Sequence, residues 1–570
     1  KGFVRVAAAV PDTVLGDVKA NSESICRLIR EADERKVRLL VFPELAITGY
    51  SLGDLFLQQD LIDGAGKGLK AVLEESRGRD MLIFVGLPYE YEGRLFDMTA
   101  VLMDGELLGL VPRGLLSKGG AAIERQFSEG STFMGVTEEG VPVGKGLIFE
   151  CRDIPGFSVA CEYGTEAEKA WSWAELLSLK GASVIVSPAA LPQTYGSASR
   201  RASIVAERSR RLCCGYVMAG VGEDESTTDH VFGGQRLIAE AGELICDSGA
   251  FTKGLSVSDI DLMRIMAERR QDAAARDSLR SLAEDALCGA GDLRIGFSYK
   301  GSVWSEDLRD RHISPEPFLS GVEDRASMSR EILDIQAHAL KKRFEHTHSQ
   351  KAVIGLSGGL DSTLALLAVR HAFSLMQRPM KDIICVTMPC FGTTDRTYDN
   401  ACRLAREIGA ELREIRISDS VMKHFEDIGH DPEVRNSAYE NAQARERTQI
   451  LMDIANDVGG LDIGTGDLSE EALGWCTFGG DHMANYAVNT SIPKTLIRVI
   501  VSEVAAAEDN AAVAEVLRDI LDTPVSPELL PSDEEGNIKQ KTEDIVGPYE
   551  LHDFFIWYAV KYGFTAGHIY

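Results

Sequence analysis

The chain has 570 residues, which at roughly 100–200 residues per domain predicts two to four domains, each able to bury a core. Its 60 Lys+Arg against 88 Asp+Glu give a formal net charge of -28, which repels nucleic acid and anionic membrane and argues against both as partners. The 11 cysteines contain no CxxC pair, so zinc-ribbon and thioredoxin-like chemistry has no support, and an odd count of free thiols fits a reducing cytoplasm.

Lys1–Val10 meets Pro11 at once and reads as a first strand rather than a signal peptide. Val18–Arg35 reads as a helix, Leu39–Phe42 as a buried strand ending at Pro43-Glu44, and Met81–Gly86 as another strand. Thr99–Met103 and Glu106–Val111 flank Asp104-Gly105, a strong hairpin signal. Phe157–Cys161 is predicted as a strand, Glu166–Leu179 as a helix, Ala182–Val186 as a strand and Ala202–Leu212 as a helix. Leu237–Ala239 with Glu243–Cys246 is a second predicted hairpin. Mixed strand styles with interspersed helices predict a layered α/β sandwich over residues 1–262.

Residues 263–325 change character, with charge-rich Glu268-Arg269-Arg270 and Arg309-Asp310-Arg311 and with Pro315 and Pro317, and are expected to form a linker. A second α/β domain is expected over 326–570. In it Ala352–Leu356 and Ile383–Met388 read as strands, each followed by a helix, Thr363–Ala372 and Asp399–Ile408. Strand–helix alternation predicts a doubly wound parallel sheet.

The sharpest motif is Ser357-Gly358-Gly359-Leu360-Asp361-Ser362, between a strand and a helix start. Backbone N–H groups of such a turn converge on one spot and favour an anion. Glycine lets the backbone approach a phosphate, since no Cβ intervenes. Asp361 repels phosphate directly, and its natural partner is Mg²⁺, which bridges carboxylate and phosphate oxygens. The motif resembles the pyrophosphate loop of the ATP pyrophosphatase superfamily, and no Gly-Lys-Ser/Thr of the other phosphate loop stands here.

The resemblance narrows downstream, at Phe391–Thr397, Glu440-Asn441-x-Gln443-Ala444-Arg445, Gly464–Glu470, Ala472–Trp475, Val488–Thr495 and Gly547–Asp553. In this order the motifs are similar to the synthetase domain of the glutamine-dependent NAD synthetases. The resemblance implies a ligase that uses ATP to adenylate nicotinic acid adenine dinucleotide and then amidates it to NAD. It implies that Gly355, Leu356, Ser357, Gly358, Gly359, Leu360, Asp361, Ser362 and Thr465 bind ATP, with Asp361 and Glu470 as Mg²⁺ ligands. Asn441, Glu470, Trp475, Cys476, Thr477 and Phe478 would line the dinucleotide site. A large homo-oligomer is also implied.

The first half resembles the nitrilase superfamily at Phe42-Pro43-Glu44-Leu45, Val111-Pro112-Arg113 and Ala160-Cys161-Glu162. That implies an α-β-β-α sandwich acting as a glutamine amidotransferase, with Cys161 as nucleophile, Glu44 as general base and position 113 as oxyanion cation. A thiol needs a base or a positive neighbour to become thiolate. The family's lysine is here Arg113, which is bulkier, planar and differently aimed. Ser117–Ala122 replaces its tyrosine-bearing loop, putting Gly119 where a ring is expected, and Tyr163-Gly164 follow the nucleophile's Cys161-Glu162. Lys118 is a candidate substitute amine, and Glu124 is retained. Two readings follow, a glutamine-hydrolysing NAD synthetase and an ammonia-dependent one with an inactive glutaminase half. The three changes lead to the expectation that free ammonia serves well and glutamine poorly.

Overall fold

The computed structural model describes residues 2–114, 126–130, 134–227, 230–286, 293–302, 304–305, 307–523 and 542–570. Lys118, Gly119 and Glu124 therefore lie outside the described residues. The chain divides into two compact units, Lys1–Ile313 with a short C-terminal stretch, and Ser314–Lys561.

In the first unit one eight-stranded sheet runs, in spatial order, through Gly254–Asp261, Phe3–Val10, Leu39–Val41, Leu82–Tyr91, Arg94–Met103, Glu106–Pro112, Pro142–Gly144 and Met134–Val136. A second, seven-stranded sheet runs through Glu243–Asp247, Arg236–Glu240, Gly215–Gly220, Val184–Ala189, Ser158–Cys161, Leu147–Cys151 and Leu293–Phe297. Val4, Val41, Phe84, Phe149, Val159 and Val186 meet in one core between the sheets. Helices Val18–Glu34 and Gln59–Ser76 pack on the outer face of the first sheet, and Trp173–Leu179 and Ser197–Leu212 on that of the second. The result is the α-β-β-α sandwich implied by the sequence.

Two stretches differ from expectation. The helix predicted over Glu166–Leu179 begins only at Trp173, because Ser172 and Glu175 form a reciprocal capping box there. The Glu166 side chain turns inward instead, to an ion pair described below. Residues 263–325, expected as a linker, carry helices Leu262–Gln271 and Ala273–Ala286 and the strand Leu293–Phe297, which pairs in parallel with Leu147–Cys151. Their charge is used in burial: Arg269 donates to the carbonyls of Cys213, Gly181 and Ala182. A charge-rich run that caps backbone acceptors has no apolar periodicity to announce it.

The second unit holds a parallel five-stranded sheet ordered Glu411–Glu414, Ile383–Thr387, Ala352–Gly355, Leu461–Gly464, Tyr486–Ala487. Helices cover both faces. Leu360–Leu375 and Lys494–Ala507 share one core with Ile354 and Ile463. Helix Ser437–Val458 shares the other with Val353, Ile384 and Val386. In such a sheet ligands bind beyond the strands' carboxyl ends, where the strand order reverses. Here that point lies between Ala352–Gly355 and Leu461–Gly464, where the Ser357–Ser362 loop begins. Among the described residues no helix is long and apolar enough to cross a membrane.

Candidate active sites

In the second unit, helix Leu360–Leu375 starts at the N-cap residue Gly359. Gly358 has φ +84°, and a Cβ there would sit 2.1 Å from the Thr397 carbonyl oxygen, so no other residue fits the loop. Ser362 Oγ braces the turn by accepting from Ser357 N at 3.3 Å and donating to Gly359 O at 3.1 Å.

Beside the loop, three carboxylates face one ammonium. Lys494 Nζ lies 2.6 Å from Asp361 Oδ2, 2.6 Å from Asp467 Oδ2 and 2.8 Å from Glu470 Oε1. Asp467 also N-caps helix Leu468–Leu473 by accepting from Glu470 N at 2.8 Å. Burial and the Asp361 charge push the carboxyls of Asp467 to about 7 and Glu470 to about 8. Burial works against the Lys494 ammonium, but Asp361, Glu470 and Asp467 outweigh it and hold it protonated.

Oxygens of Asp361, Asp467 and Glu470 lie within 4.8 Å of one another, and Asp361 Oδ1 is buried with no hydrogen-bond partner. Three hard oxygen donors and an orphaned carboxylate oxygen fit a divalent cation of the Mg²⁺ kind. The sequence reading placed Asp361 and Glu470 there but missed Asp467 and Lys494. Asp467-x-x-Glu470 is a helix-start signal, and that structural role masks the electrostatic one.

A cavity of about 310 Å³ opens over this cluster, lined by Ser357, Gly359, Asp361, Thr465, Glu470 and Trp475 among others. Gly355, Leu356 and Leu360 also line it, whereas Gly358 and Ser362 stand outside its lining. Asn441, Cys476, Thr477 and Phe478 stand outside its lining. Asn441 Oδ1 accepts from Thr477 Oγ1 at 2.9 Å, and Phe478 is 85% exposed.

In the first unit, Glu44, Arg113 and Cys161 are all buried at strand ends. Gly86 permits the approach: a Cβ there would meet Leu45 N at 2.3 Å, so the strand Leu82–Tyr91 can press against the turn that carries Glu44. Arg113 Nη1 lies 3.2 Å from Glu44 Oε2 and 3.8 Å from Asp97 Oδ2, and Nη2 donates to Thr165 Oγ1 at 3.3 Å. Glu44 Oε1 accepts from Ala190 N at 2.8 Å. Burial pushes the Cys161 thiol far up, partly opposed by Lys145.

Lys145 was not singled out from the sequence. It is buried, donates to Glu166 Oε2 at 2.6 Å and lies 5.0 Å from the Tyr163 ring centroid. Glu166 in turn accepts from Gly114 N at 2.7 Å and from Tyr163 N at 3.1 Å, so it ties the chain after Arg113 to the turn after Cys161. A lone lysine in the otherwise apolar Val141–Phe149 run was the available signal. Tyr163 OH accepts from Thr99 Oγ1 at 2.9 Å and donates to Val111 O at 2.9 Å, which fixes the ring in the core.

Glu162 is held by Arg208, by Ser172 and by Tyr216 OH at 2.7 Å, and Arg208 also pairs with Glu175. Removing one partner of a buried ion network leaves an uncompensated charge. Arg208→Met is therefore expected to destabilise the first unit by about 3–5 kcal/mol, seen as a lowered urea midpoint. An unchanged midpoint would show that the network carries no net stability.

An α-β-β-α sandwich that buries Glu44, Arg113 and Cys161, followed by a doubly wound unit with a Gly-rich strand-to-helix loop, fits a ligase joined to a carbon–nitrogen hydrolase half. A carbon-nitrogen hydrolase family model matches residues 5–270, and an NAD synthase model matches 332–550. The chain belongs to the glutamine-dependent NAD(+) synthetase family. It is 36% identical over 581 aligned residues to the glutamine-dependent NAD(+) synthetase of Mycobacterium tuberculosis, covering 100% of this chain and 85% of that protein. The Mycobacterium leprae enzyme is 35% identical over 586 residues, with the same coverage. The solved glutamine-dependent NAD(+) synthetase of Cytophaga hutchinsonii aligns with TM-score 0.40 and 19% identity, covering 100% of this chain and 88% of that one.

Proposed function

We propose that the second unit makes NAD from nicotinic acid adenine dinucleotide, ATP and ammonia. The observation that carries this reading is that the Ser357–Ser362 loop, Asp361 and Glu470 line one cavity, with Asp467 and Lys494 buried behind them against the same carboxylates. The nicotinate carboxylate attacks the α-phosphorus of ATP, and pyrophosphate leaves. Ammonia then adds to the acyl-adenylate and expels AMP, leaving the amide. A carboxylate is a poor electrophile, and the adenylate supplies the leaving group it lacks.

The loop's backbone N–H groups, at the start of helix Leu360–Leu375, suit the phosphates. The Lys494 ammonium is placed to meet negative charge at the carboxylate cluster. Asp361, Asp467 and Glu470 are the residues that would hold Mg²⁺, which when bound neutralises phosphate charge. Trp475, lining the cavity, offers a face on which the nicotinate ring can stack.

In the first unit, glutamine is hydrolysed at Cys161 to supply ammonia, with Glu44 as base. The buried thiol and an Arg113 committed to Glu44 make that supply slow. As in the sequence reading, assembly into a large homo-oligomer is part of this proposal.

The synthetase reaction is expected to yield AMP and pyrophosphate one-to-one with NAD, and no ADP, as quantified by chromatography. Stoichiometric ADP would rule out adenylation and with it this reading.

A further inference from the structure

We propose that Asp462 is the residue through which the nucleotide cavity reads the purine base of ATP, its carboxyl forming a two-point hydrogen-bonded pair with adenine. This rests on the ATP reading above and adds to it a residue that decides which nucleotide is accepted.

Asp462 sits inside the strand Leu461–Gly464, where a carboxylate is out of place. Ile463 faces the core shared with helix Leu360–Leu375. Alternation along the strand puts Asp462 on the opposite face, in register with Val353 and, through it, Ile384. That face packs against Leu451, Ile454 and Ala455 of helix Ser437–Val458. Among these apolar neighbours Asp462 is 2% exposed, yet it lines the cavity together with Val386, Thr448 and Leu451.

Its carboxyl is pushed up to about 7 by burial alone. The charged groups lining the cavity are Asp361, Arg447, Glu470 and Asp481, and none of them contributes to that shift. The carboxyl is thus readily neutral, and burying it without a partner is costly. A ligand that pairs it removes that cost.

Chemistry selects the ligand group. A neutral carboxyl offers an O–H donor beside a C=O acceptor. Adenine presents an N6 amino donor beside the N7 acceptor, whereas guanine presents N7 and O6, both acceptors. On this edge adenine satisfies both positions and guanine leaves one opposed, so guanine could pair only with its ring turned to bring N1–H and O6 to the carboxyl. Position agrees: Asp462 lies two residues before Gly464, about 7 Å deeper along the strand than the loop end. The flat base would occupy the apolar floor, with the phosphates at the Ser357–Ser362 loop and the ribose near Thr465.

The test is equilibrium binding of ATP, 2′-deoxy-ATP and GTP to the full chain, as wild type, Asp462→Asn and Asp462→Leu. Asparagine keeps one donor and one acceptor, so Asp462→Asn should bind ATP nearly as wild type does. Leucine matches the apolar wall and should fold, but it should lose about 10–100-fold in ATP affinity, the worth of a two-point base contact. Its preference for ATP over GTP should fall by the same factor, with 2′-deoxy-ATP following ATP throughout. An Asp462→Leu variant that binds ATP as tightly as wild type overturns the proposal. So does equal loss for ATP and GTP, which marks a merely structural role, or a loss for 2′-deoxy-ATP in wild type that vanishes in the variant, which marks ribose recognition. Failure of the wild type to bind any ATP overturns the ATP reading itself, and this inference with it.

Discussion

Asp361→Ala is expected to lower ATP-dependent NAD formation by on the order of 10³-fold while the chain stays folded. Asp361 stands at the second position of helix Leu360–Leu375, beside the Ser357–Gly359 turn, with one buried carboxylate oxygen unpartnered and the other 2.6 Å from Lys494. On the proposed reading its removal takes away a cation ligand, and it leaves Lys494 to Asp467 and Glu470 alone. The side chain is part-exposed and Lys494 keeps two carboxylate partners, so the loss should fall on turnover rather than on the unfolding midpoint. Steady-state rates with saturating ammonium chloride, alongside circular dichroism, make the measurement. A folded variant with normal turnover would remove Asp361 from the machinery.

The second large effect concerns nitrogen supply. With glutamine as the only donor, NAD formation is expected to run at least about 10²-fold below the ammonium chloride rate, and Cys161→Ala should abolish the glutamine-supported part while sparing the ammonia-supported part. The reason is geometric. Arg113 spends its charge on Glu44, the proposed base, and on the neighbouring carboxylate of Asp97. A thiol pushed up by burial, with its base already ion-paired, is slow to form thiolate. Lys145 is the cation that opposes the rise, and it too is tied, to Glu166. Glutamine matching ammonia, with Cys161→Ala removing only the glutamine activity, would show that Arg113 serves the oxyanion as well as a lysine does.

Much of this was legible before any coordinates. The strand-to-helix turn at Ser357–Ser362 could be read because its constraint is local: glycine at 358 is required by its own φ and by one carbonyl. The hairpin around Asp104-Gly105 was likewise set by two adjacent residues, and its strands pair antiparallel as expected. Lys494 and Asp361 are 133 residues apart in sequence, and neither's neighbours announce the other. Lys145 meets Glu166 only because Glu166 leaves the predicted helix, an outcome fixed by the cap at Ser172. Phe478 stands three residues from Trp475, yet it is exposed and outside the cavity's lining while Trp475 lines it, a difference that sequence adjacency does not show.

The most direct test of the central claim is product formation by the full chain given ATP, nicotinic acid adenine dinucleotide, magnesium chloride and ammonium chloride. The account predicts NAD appearing mole for mole with AMP, and none when nicotinic acid adenine dinucleotide is omitted. ATP bound at the cavity with no NAD formed under these conditions would contradict it.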